Sequence, residues 1–600
     1  MKKNVLALSI TTALVGLTGG AHAMTGALGG ATATVQEFNG QGVGHSLIIP
    51  YFTTQDKNNT LINIVNTDLH NGKAVKVRFR GASNSDDIFD FQVFLSPGDV
   101  WAANIAQGAD GKSRLVTNDV SCTKPDRSVL NGAPFLTARL DQTLTAAQQA
   151  NGTREGYVEI FNMGDIPQVA NTAATADTST DVKAGVVAAG GNNPLWTAIK
   201  HVSNVAPCAS ATAPGTAASA AAWAALDTTN LLWGAAVATS ANTAGLLPPS
   251  TGLMANWTII NVVGAATWSG EAVAVEARNA AGVSATSPTT GVVSERTNLG
   301  NVVYWPQTTN LVDAAGVSTV VELYSADALF RTADVYTSNT AGTTLTKAAA
   351  AALPASFYDL PDMSTPYLVT AGGVTAPLTQ AGTLTASLAT RSVRNEFFTD
   401  TGVSATTDWL FSMPTRRYSV GFDYAFTASA TNDGRRFTNI TADTAPGAAS
   451  TIAYFNAQNT NVNSSTNGNG RQICVAPATT VGFVLSQFNR EETKPTGAAP
   501  GVVISPSPIV NPNKVAFCGE ASILSINNGG ILATGTGSLK ASVAVQDADV
   551  LYRDGWMTVA TPPAAGALLG LPVLGSSFSR AVGNTGGQTF GISSNHRFQR

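Results

Sequence analysis

From His45 onward the sequence is a succession of short apolar runs separated by turn-forming residues. The first runs are HSLIIPYF, TLINIVNT, AVKVRFR, IFDFQVFL and DVWAANI, and the segments between them contain NN, HNGK, SNSDD and SPG. Runs of this length that are rich in Val, Ile, Phe and Trp are typical of β-strands. The same texture resumes at Trp257 in WTIINVVG and continues to GWMTVATP. The sequence therefore predicts an all-β or β-dominated fold.

One of these runs, AVKVRFR, alternates strictly between apolar and cationic residues. Its members are Val75, Val77 and Phe79 on one side and Lys76, Arg78 and Arg80 on the other. Successive side chains of a strand point to opposite faces of a sheet, so this pattern predicts one face in the core and the other in water. Such strands fit an antiparallel β-sandwich-type domain.

The segment TTQDKNNT joins the first two runs and lies between two histidines, His45 and His70. Its Asp, Asn and Thr oxygens suggest a metal loop, but its apolar flanks favour a turn that closes a β-hairpin. Asn58 and Asn59 suit the left-handed backbone of a tight turn. In a hairpin the two histidines would lie at the far ends of the arms, too far from Asp56 to share an ion with it. We therefore interpret the segment as a hairpin turn.

The first 23 residues are typical of a signal peptide. Lys2 and Lys3 precede an apolar run, and the segment ends in the small-x-small sequence Ala21-His22-Ala23. The apolar run is shorter than the ~20 residues that a membrane-spanning helix needs. We therefore expect an exported chain that begins at or near Met24, without a transmembrane helix. Any attachment to the surface is expected to be non-covalent, to surface polysaccharide.

Changes in composition divide the rest of the chain into three segments. Residues 24–165 form the predicted N-terminal sandwich-like domain, residues 166–255 an Ala- and Thr-rich insertion, and residues 256–600 a C-terminal β-rich region of one or two units with long Ala, Thr, Asn and Gly loops. The insertion contains SAAAWAALD, which we expect to form a short helix because Ala is the best helix former, with Trp223 on its buried side. A chain of this length exceeds what one core can hold, so several units are expected.

The exported chain contains four cysteines: Cys122, Cys208, Cys474 and Cys518. An even number in an exported chain indicates two disulfides, while free buried thiols are the alternative. Four cysteines allow three pairings. Pairing sequence neighbours is the simplest choice, and it joins Cys122 to Cys208 and Cys474 to Cys518. The sequence has no C-x-x-C spacing of the kind found in metal and redox sites.

Composition and the absence of motifs argue against several functions. The net charge of −4 becomes −6 once Lys2 and Lys3 are removed, and only 12% of the residues are charged. Phosphate binding needs clustered Lys and Arg, so we expect no nucleic-acid partner. The sequence contains no H-E-x-x-H zinc motif, no G-x-S-x-G nucleophile elbow and no phosphate-binding loop. We therefore predict neither an enzyme nor a resident cofactor, apart from the calcium candidates that follow.

Two acidic clusters are candidates for a calcium ion. They are Asp86, Asp87 and Asp90 in NSDDIFD, and Asp547, Asp549 and Asp554 in QDADVLYRDG. Calcium binds several carboxylate and carbonyl oxygens gathered in a loop, but neither cluster has the spacing of a helix-loop-helix calcium site or of the GGxGxD repeat. A solvated turn is the alternative for both clusters.

The segment TDWLFSMPTRRYSVGFDY combines aromatic side chains with Arg416 and Arg417. Aromatic and arginine side chains together could stack on a sugar ring or a base. Trp409, Phe411 and Met413 alternate at period two, however, which favours a strand whose aromatic side chains face a core. We interpret the segment as an inward-facing strand followed by a turn.

Several of these segments resemble a family of Gram-negative exported proteins described as cell-surface or surface-layer-like. The segments are HSLIIPYFTTQDKNNTLINIVNTD, AVKVRFRGASNSDDIFDFQVFLSPGDVW, LVTNDVSC and TDWLFSMPTRRY. The resemblance lies mainly in the first part of the exported chain and around Trp409, and it brings no catalytic residues. It implies a location at the cell surface or outside the cell of a Gram-negative bacterium.

From these observations we expect an exported structural protein that associates with itself into a surface layer, sheath or filament. Low net charge weakens self-repulsion, and β-domains offer strand edges for pairing. An adhesin or glycan-binding protein whose long loops hold the site is the main alternative. A secreted hydrolase with an unrecognised site is another. An outer-membrane β-barrel is a third, although it needs aromatic girdles and repeated alternating strands.

Overall fold

Most of the described residues lie in β-sheets, which confirms the predicted fold class. The protein is seen in a computed structural model, which describes residues 35–138, 140–168, 192–209, 217–228, 245–246, 250–278, 384–416, 460–464, 471–475, 483–490, 514–527, 537–549, 552–563, 569–583 and 589–600. It also describes the six strands of three short hairpins, at 308–312, 318–322, 335–338, 345–348, 369–370 and 373–374.

Twelve strands build a first sandwich. They are β1 (Val35–Asn39), β2 (Ser46–Thr53), β3 (Asn58–Asn66), β4 (Gly72–Gly81), β5 (Asp87–Leu95), β6 (Val100–Gln107), β7 (Ser113–Val116), β8 (Cys122–Lys124), β9 (Glu155–Ile166), β10 (Leu253–Asn261), β11 (Ala266–Glu271) and β12 (Val273–Arg278). One sheet has the order β1-β12-β2-β9-β4-β5-β8 and the other has the order β11-β10-β3-β6-β7. Apolar side chains from both sheets meet in one core.

Four short helices accompany this sandwich: α1 (Arg127–Leu130), α2 (Ala146–Gly152), α3 (Pro194–Ile199) and α4 (Ala217–Thr228). The helix predicted in SAAAWAALD is α4, and its Trp223 packs edge-on against Phe94 with 4.7 Å between ring centroids. Helices α3 and α4 cover one end of the outer face of the seven-stranded sheet. The outer face is therefore not left to water.

The remaining strands follow in the C-terminal half. Three hairpins are formed by β13 (Thr308–Val312) and β14 (Ser318–Glu322), β15 (Val335–Ser338) and β16 (Leu345–Ala348), and β17 (Val369–Thr370) and β18 (Gly373–Val374). The others are β19 (Ala389–Thr390), β20 (Ser392–Phe398), β21 (Thr406–Ser412), β22 (Thr460–Ser464), β23 (Arg471–Val475), β24 (Phe483–Phe488), β25 (Lys514–Val515), β26 (Phe517–Cys518), β27 (Ala521–Asn527), β28 (Val545–Asp549), β29 (Asp554–Ala560), β30 (Leu571–Pro572), β31 (Ser576–Val582), β32 (Thr589–Asn595) and β33 (Arg597–Gln599).

Ten of these strands build a second sandwich. One of its sheets has the order β25-β24-β29-β20-β33, and the other has the order β28-β27-β21-β31-β32. The strands β21 and β27 of the second sheet are buried on both faces. Trp409 and Phe411 of β21 face the core of their own sandwich, while Leu410 between them belongs to the core of the first sandwich. The two sandwiches therefore share the apolar core of the first sandwich, while the second sandwich also has a core of its own.

The predicted hairpin at TTQDKNNT does not exist, because β2 and β3 belong to different sheets. β2 pairs with β9 and β12, whereas β3 pairs with β6 and β10. The chain turns through the 3-10 segment Gln55–Lys57 and crosses from one sheet to the other. The left-handed residues are Asp56 and Lys57, with φ of 45° and 64°, and Asn58 is extended. Prediction of a turn was right, but its partner strands and its left-handed positions were wrong.

Three strands of the first sandwich come from beyond residue 250. β10 lies between β3 and β11, and β12 lies between β1 and β2. The predicted boundary between residues 255 and 256 falls inside β10, so the sheet topology places the segment Leu253–Arg278 with the N-terminal strands. The run WSGEAVAVEAR supplies two strands, β11 and β12, in different sheets.

Candidate functional site

The most unusual feature of the first sandwich is a row of buried charges on the outer face of β4. Lys76 and Arg78 are completely buried and Arg80 is 2% exposed, so the prediction that this face meets water is wrong. The sequence pattern was read correctly, but other parts of the chain pack on the outer face. Helices α3 and α4 cover one end, and Leu384 and Leu388 pack at the other.

Carboxylates on the neighbouring strand neutralise two of these cations. The Asp90 carboxylate on β5 lies 2.9 Å from Lys76 Nζ and 3.1 Å from Arg78 Nη2, through the same oxygen. The Asp87 carboxylate lies 3.4 Å from Arg78 Nε. Buried charges are tolerated when they are paired in this way, because the partner replaces part of the lost hydration.

The third cation of the row is paired with the strand on the other side of β4. Arg80 Nε lies 3.3 Å from the Glu159 carboxylate on β9, and its Nη1 donates to the Ser85 carbonyl oxygen at 3.1 Å. The row thus crosses three neighbouring strands, β9, β4 and β5, with charges of alternating sign. It stabilises the outer face as a polar layer within the structure.

The first calcium candidate lies in this row. Asp87 and Asp90 have their carboxylates on the cations of β4, and Asp86 is buried beside them at 1% exposure. In the part of the chain that the structure describes, no group of three or more His, Cys, Asp or Glu side chains is arranged to hold a metal ion. The calcium site at this cluster stays a prediction.

The second calcium candidate spans two strands of the second sandwich. Asp547 and Asp549 lie on β28, and Asp554 begins β29. Asp547 is largely exposed, but the part of its carboxyl group that is removed from water raises its pKa. Asp554 pairs with Arg490 at 3.2 Å in an exposed ion pair. A calcium site at this cluster also stays a prediction.

A second buried ion pair lies inside the sandwich, between its two sheets. Lys73 of β4 is in phase with the core residue Val75, and its Nζ lies 2.9 Å from Asp165 Oδ1. The same carboxylate oxygen accepts from Asn162 Nδ2 at 2.8 Å. The backbone N–H of Ser250 donates to it at 3.3 Å, and the Ser250 hydroxyl donates to the other oxygen, Oδ2. One buried carboxylate therefore joins an amine, an amide and a hydroxyl.

The junction between the two sandwiches contains a third polar cluster, centred on Glu155 at the start of β9. Its Oε1 accepts from Gln55 Nε2 at 2.7 Å and from the backbone N–H groups of Ser542 and Val543 at 2.7 and 3.2 Å. The Tyr51 hydroxyl donates to Oε2 at 3.1 Å. Burial raises the pKa of Glu155 against the lowering effect of these donors. Glu155 thus binds the loop before β28 to the first sandwich.

A carboxylate of the second sandwich holds the same loop from the other side. Asp408 Oδ2 accepts from the backbone N–H of Leu539 at 2.8 Å, and its Oδ1 accepts from the Ser525 hydroxyl at 2.8 Å. Burial raises the pKa of Asp408 to about 6, and the nearby Lys540 partly opposes that rise. Burial also lowers the pKa of Lys540. The loop 537–544 is therefore clamped between one carboxylate of each sandwich.

Backbone hydrogen bonds complete the junction. The Ala82 carbonyl oxygen accepts from the N–H groups of Glu520 and Ala521 at 2.7 and 3.2 Å. Gly519 adopts a positive φ of 86°, and a Cβ at this position would lie 2.7 Å from that same carbonyl oxygen. Glycine is needed here because the two backbones approach so closely. The sandwiches are joined as one body rather than by a linker.

Sequence reasoning missed Lys73, Glu155, Asp165 and Asp408. A signal for two of them was present, because Lys73 is in phase with Val75 and Val77, and Asp408 is in phase with Leu410. A charge at an inward position of an alternating strand indicates a buried, partnered group. Their partners could not be predicted, since they lie on strands or loops far away in the sequence.

The segment around Trp409 is a core strand, as its alternation predicts. Trp409, Phe411 and Met413 are completely buried in the core of the second sandwich. Arg416 is buried and ion-paired with Glu520. Arg417 lies outside the described residues. These side chains therefore do not form an open stacking surface.

A histidine that sequence analysis left without a role packs against this strand. His596 lies between the rings of Trp409 and Phe411, at 5.1 and 5.3 Å between centroids. Its Nε2 lies 3.0 Å from the Leu410 carbonyl oxygen, and its Nδ1 lies 3.0 Å from Asn395 Nδ2. A neutral ring with the proton on Nε2 satisfies both contacts. Burial lowers the pKa of His596 to about 3.

Both predicted cysteine pairs are confirmed. Cys122 is bonded to Cys208, with 5.7 Å between Cα atoms, and Cys474 is bonded to Cys518, with 3.9 Å between Cα atoms. The first disulfide joins β8 to the segment after α3, and the second joins β23 to β26. Disulfides of this kind are typical of proteins outside the cytosol. They fit an extracellular protein.

Within the described ranges, no helix is long and apolar enough to cross a membrane. No protein-family model, curated protein or solved structure matches the chain.

Proposed function

We propose that this chain is an exported structural protein of the bacterial cell surface that associates with copies of itself. The observation that carries the proposal is the apolar edge strand β32. It stands at the end of its sheet, and Phe590 and Ile592 are 64% and 67% exposed on it. Residues two apart on a strand point to the same face, so these two side chains form one apolar strip.

A second apolar element lies at the same edge of the sheet, on the face opposite to this strip. The turn between β10 and β11 carries Val262 and Val263, which are 76% and 73% exposed. The carbonyl oxygen of Gly264 in that turn accepts from Arg580 Nη2 at 3.1 Å, and Arg580 is the strand partner of Gly591 on β32. The turn and the edge strand therefore share one region of the surface. Exposed apolar residues grouped in this way mark protein–protein contacts.

The edge of β32 also supports pairing between copies. Among the strands that the structure describes, β31 is its only backbone-paired neighbour, and the contact of β32 with β11 runs through the Ser593 hydroxyl, which bonds the Ser269 backbone. An edge strand presents unpaired N–H and C=O groups that a strand of another chain can bind. The low net charge of −4 over 600 residues opposes such contacts only weakly. The two sandwiches are joined by the loop 537–544 and by the backbone hydrogen bonds at Ala82. They therefore supply one unit for a layer or filament.

Sedimentation velocity and electron microscopy of the purified exported chain test this proposal. We expect oligomers or ordered assemblies that grow with protein concentration, and the double variant Phe590→Lys/Ile592→Lys should remain monomeric with an unchanged circular dichroism spectrum. Leu69→Lys is the matched control, because Leu69 is 65% exposed on the loop between β3 and β4. A wild-type chain that stays monomeric at every concentration, with and without calcium, would overturn the proposal.

A further inference from the structure

The buried cluster inside the first sandwich brings together the three groups of a self-crosslinking reaction. Lys73, Asn162 and Asp165 are all completely buried. Asp165 Oδ1 lies 2.9 Å from Lys73 Nζ and 2.8 Å from Asn162 Nδ2. A primary amine and a carboxamide therefore meet on one carboxylate oxygen. This is the arrangement that a proton transfer between the amine and the amide nitrogen requires.

Strand pairing explains how the three side chains come together. Lys73 of β4 is the direct register partner of Asp165 on β9. A bulge between Ala74 and Val75 shifts the register, so that Val75 faces Asn162 and the side chain of Met163 turns to the outer face. A bulge of this kind re-aims side chains. Asn162 and Asp165 consequently lie on the inner face together with Lys73.

The amide of Asn162 is fixed on both sides. Its Nδ2 also donates to the Ser250 carbonyl oxygen at 2.8 Å, and its Oδ1 accepts from the backbone N–H of Gly164 at 3.2 Å. The Gly164 N–H is placed to stabilise negative charge that develops on Oδ1 when a nucleophile attacks Cγ. Ser250 holds Asp165 through its own N–H and hydroxyl groups. The cluster is therefore preorganised.

We infer that Lys73 and Asn162 form an intramolecular isopeptide bond, with Asp165 as the catalytic residue. Lys73 gives one proton to the Asp165 carboxylate, and the neutral Nζ attacks Asn162 Cγ. The Cγ–Nδ2 bond breaks, a second Nζ proton passes through Asp165 to Nδ2, and ammonia leaves. The new amide nitrogen keeps the third proton, and Asp165 ends as a neutral carboxylic acid. No oxidant or co-reactant takes part.

Burial favours this outcome. A lysine amine must be neutral to act as a nucleophile, and the Asp165 carboxylate, 2.9 Å from Lys73 Nζ, is placed to take its proton. Holding the reacting groups side by side replaces a bimolecular encounter, for which effective concentrations of about 10⁵ M and above are reached. The product also exchanges a buried ion pair for neutral groups and thereby removes a desolvation cost.

The crosslink is tested by peptide mass spectrometry of the denatured, reduced and alkylated exported chain after trypsin. Cleavage at Lys57, Lys76, Arg154 and Lys183 would release a branched peptide in which residues 58–76, uncut at Lys73, are joined to residues 155–183. Its expected mass is lower than the sum of the two peptides by one ammonia, about 17 Da. Recovery of the separate linear peptides 58–73 and 155–183 would overturn the inference.

Variants assign the roles. The branched peptide should be absent from Lys73→Arg and from Asp165→Asn, whose amide retains hydrogen bonding but cannot relay the proton. Lys76→Arg is the matched control, because it changes another buried ion-paired lysine of the same strand, and it should keep the crosslink. A branched peptide lighter by one water, about 18 Da, would identify Asp165 as the acceptor and overturn the role of Asn162.

Discussion

The ring of Phe578, on β31 of the second sandwich, lies with its centroid 5.8 Å from that of Trp257 on β10 of the first sandwich. The same phenyl ring lies 6.4 Å from the ring of Tyr51 and 6.5 Å from that of Trp268. Phe578 is completely buried. It is therefore an anchor through which one sandwich fills the core of the other.

Replacing this anchor should destabilise the whole chain. We expect Phe578→Ala to lower the free energy of unfolding by about 3–5 kcal/mol, because it leaves a cavity in the shared core. Chemical denaturation followed by Trp fluorescence measures the change. Phe590→Ala is the control, since Phe590 on the adjacent strand is 64% exposed and should change stability by less than about 0.5 kcal/mol. Equal effects of the two variants would contradict the shared core.

The buried charge row gives a second prediction. Asp90→Asn should destabilise the chain by about 3–5 kcal/mol, because it leaves Lys76 and Arg78 buried without the carboxylate that both contact. The exposed pair Asp110–Arg114 provides the control, and Asp110→Asn should cost less than about 1 kcal/mol. Urea denaturation of the two variants measures the difference. A small effect at Asp90 would show that the row adds little to stability.

Asp408 should make the junction more stable in mild acid. Its pKa in the folded chain, about 6, lies above the ordinary value of 3.8, so the folded state takes up a proton more readily than the unfolded state. Its contribution to stability is full below pH 3.8 and is lost as the pH rises through 6, by up to about 3 kcal/mol. Asp408→Asn should lack this part of the pH dependence, measured as the difference in Tm from wild type.

The exposed Glu271 supplies the control for that measurement. Glu271→Gln should keep the part of the pH dependence of Tm that Asp408 supplies, because the variant leaves Asp408 and its hydrogen-bond donors Leu539 and Ser525 unchanged. The buried carboxyl titrates between about pH 4 and pH 7. Parallel Tm curves for Asp408→Asn and wild type over this range would contradict the prediction.

His596 should act in the opposite direction. Burial lowers its pKa from 6.5 to about 3, so the unfolded state takes up a proton more readily than the folded state. Its contribution to stability is present above pH 6.5 and is lost as the pH falls toward 3, by up to about 5 kcal/mol. His596→Gln should remove this acid sensitivity, since glutamine cannot be protonated. His70→Gln is the control, because His70 is exposed. Retention of the full acid sensitivity by His596→Gln would contradict this assignment.

Strand positions and cysteine pairs were within reach of the sequence because they depend on local order. Period-two alternation identified the core side chains of the Trp409 segment, and the helix at Trp223 follows from its alanine content. Pairing of neighbouring cysteines gave both disulfides. The sequence also indicated the turn at Asp56. It did not indicate which strands would pair with the two strands that flank this turn.

The alternation of β4 by itself determined which side chains lie on each face, because successive residues of a strand always point to opposite sides. Only the tertiary structure decided that the face with Lys76 and Arg78 is buried, since the covering helices come from more than a hundred residues further along the chain. The same holds for Glu155 and Asp408, whose donors lie in the distant loop 537–544. A strand pattern is local, whereas burial and hydrogen-bond partners depend on which remote segments pack against it.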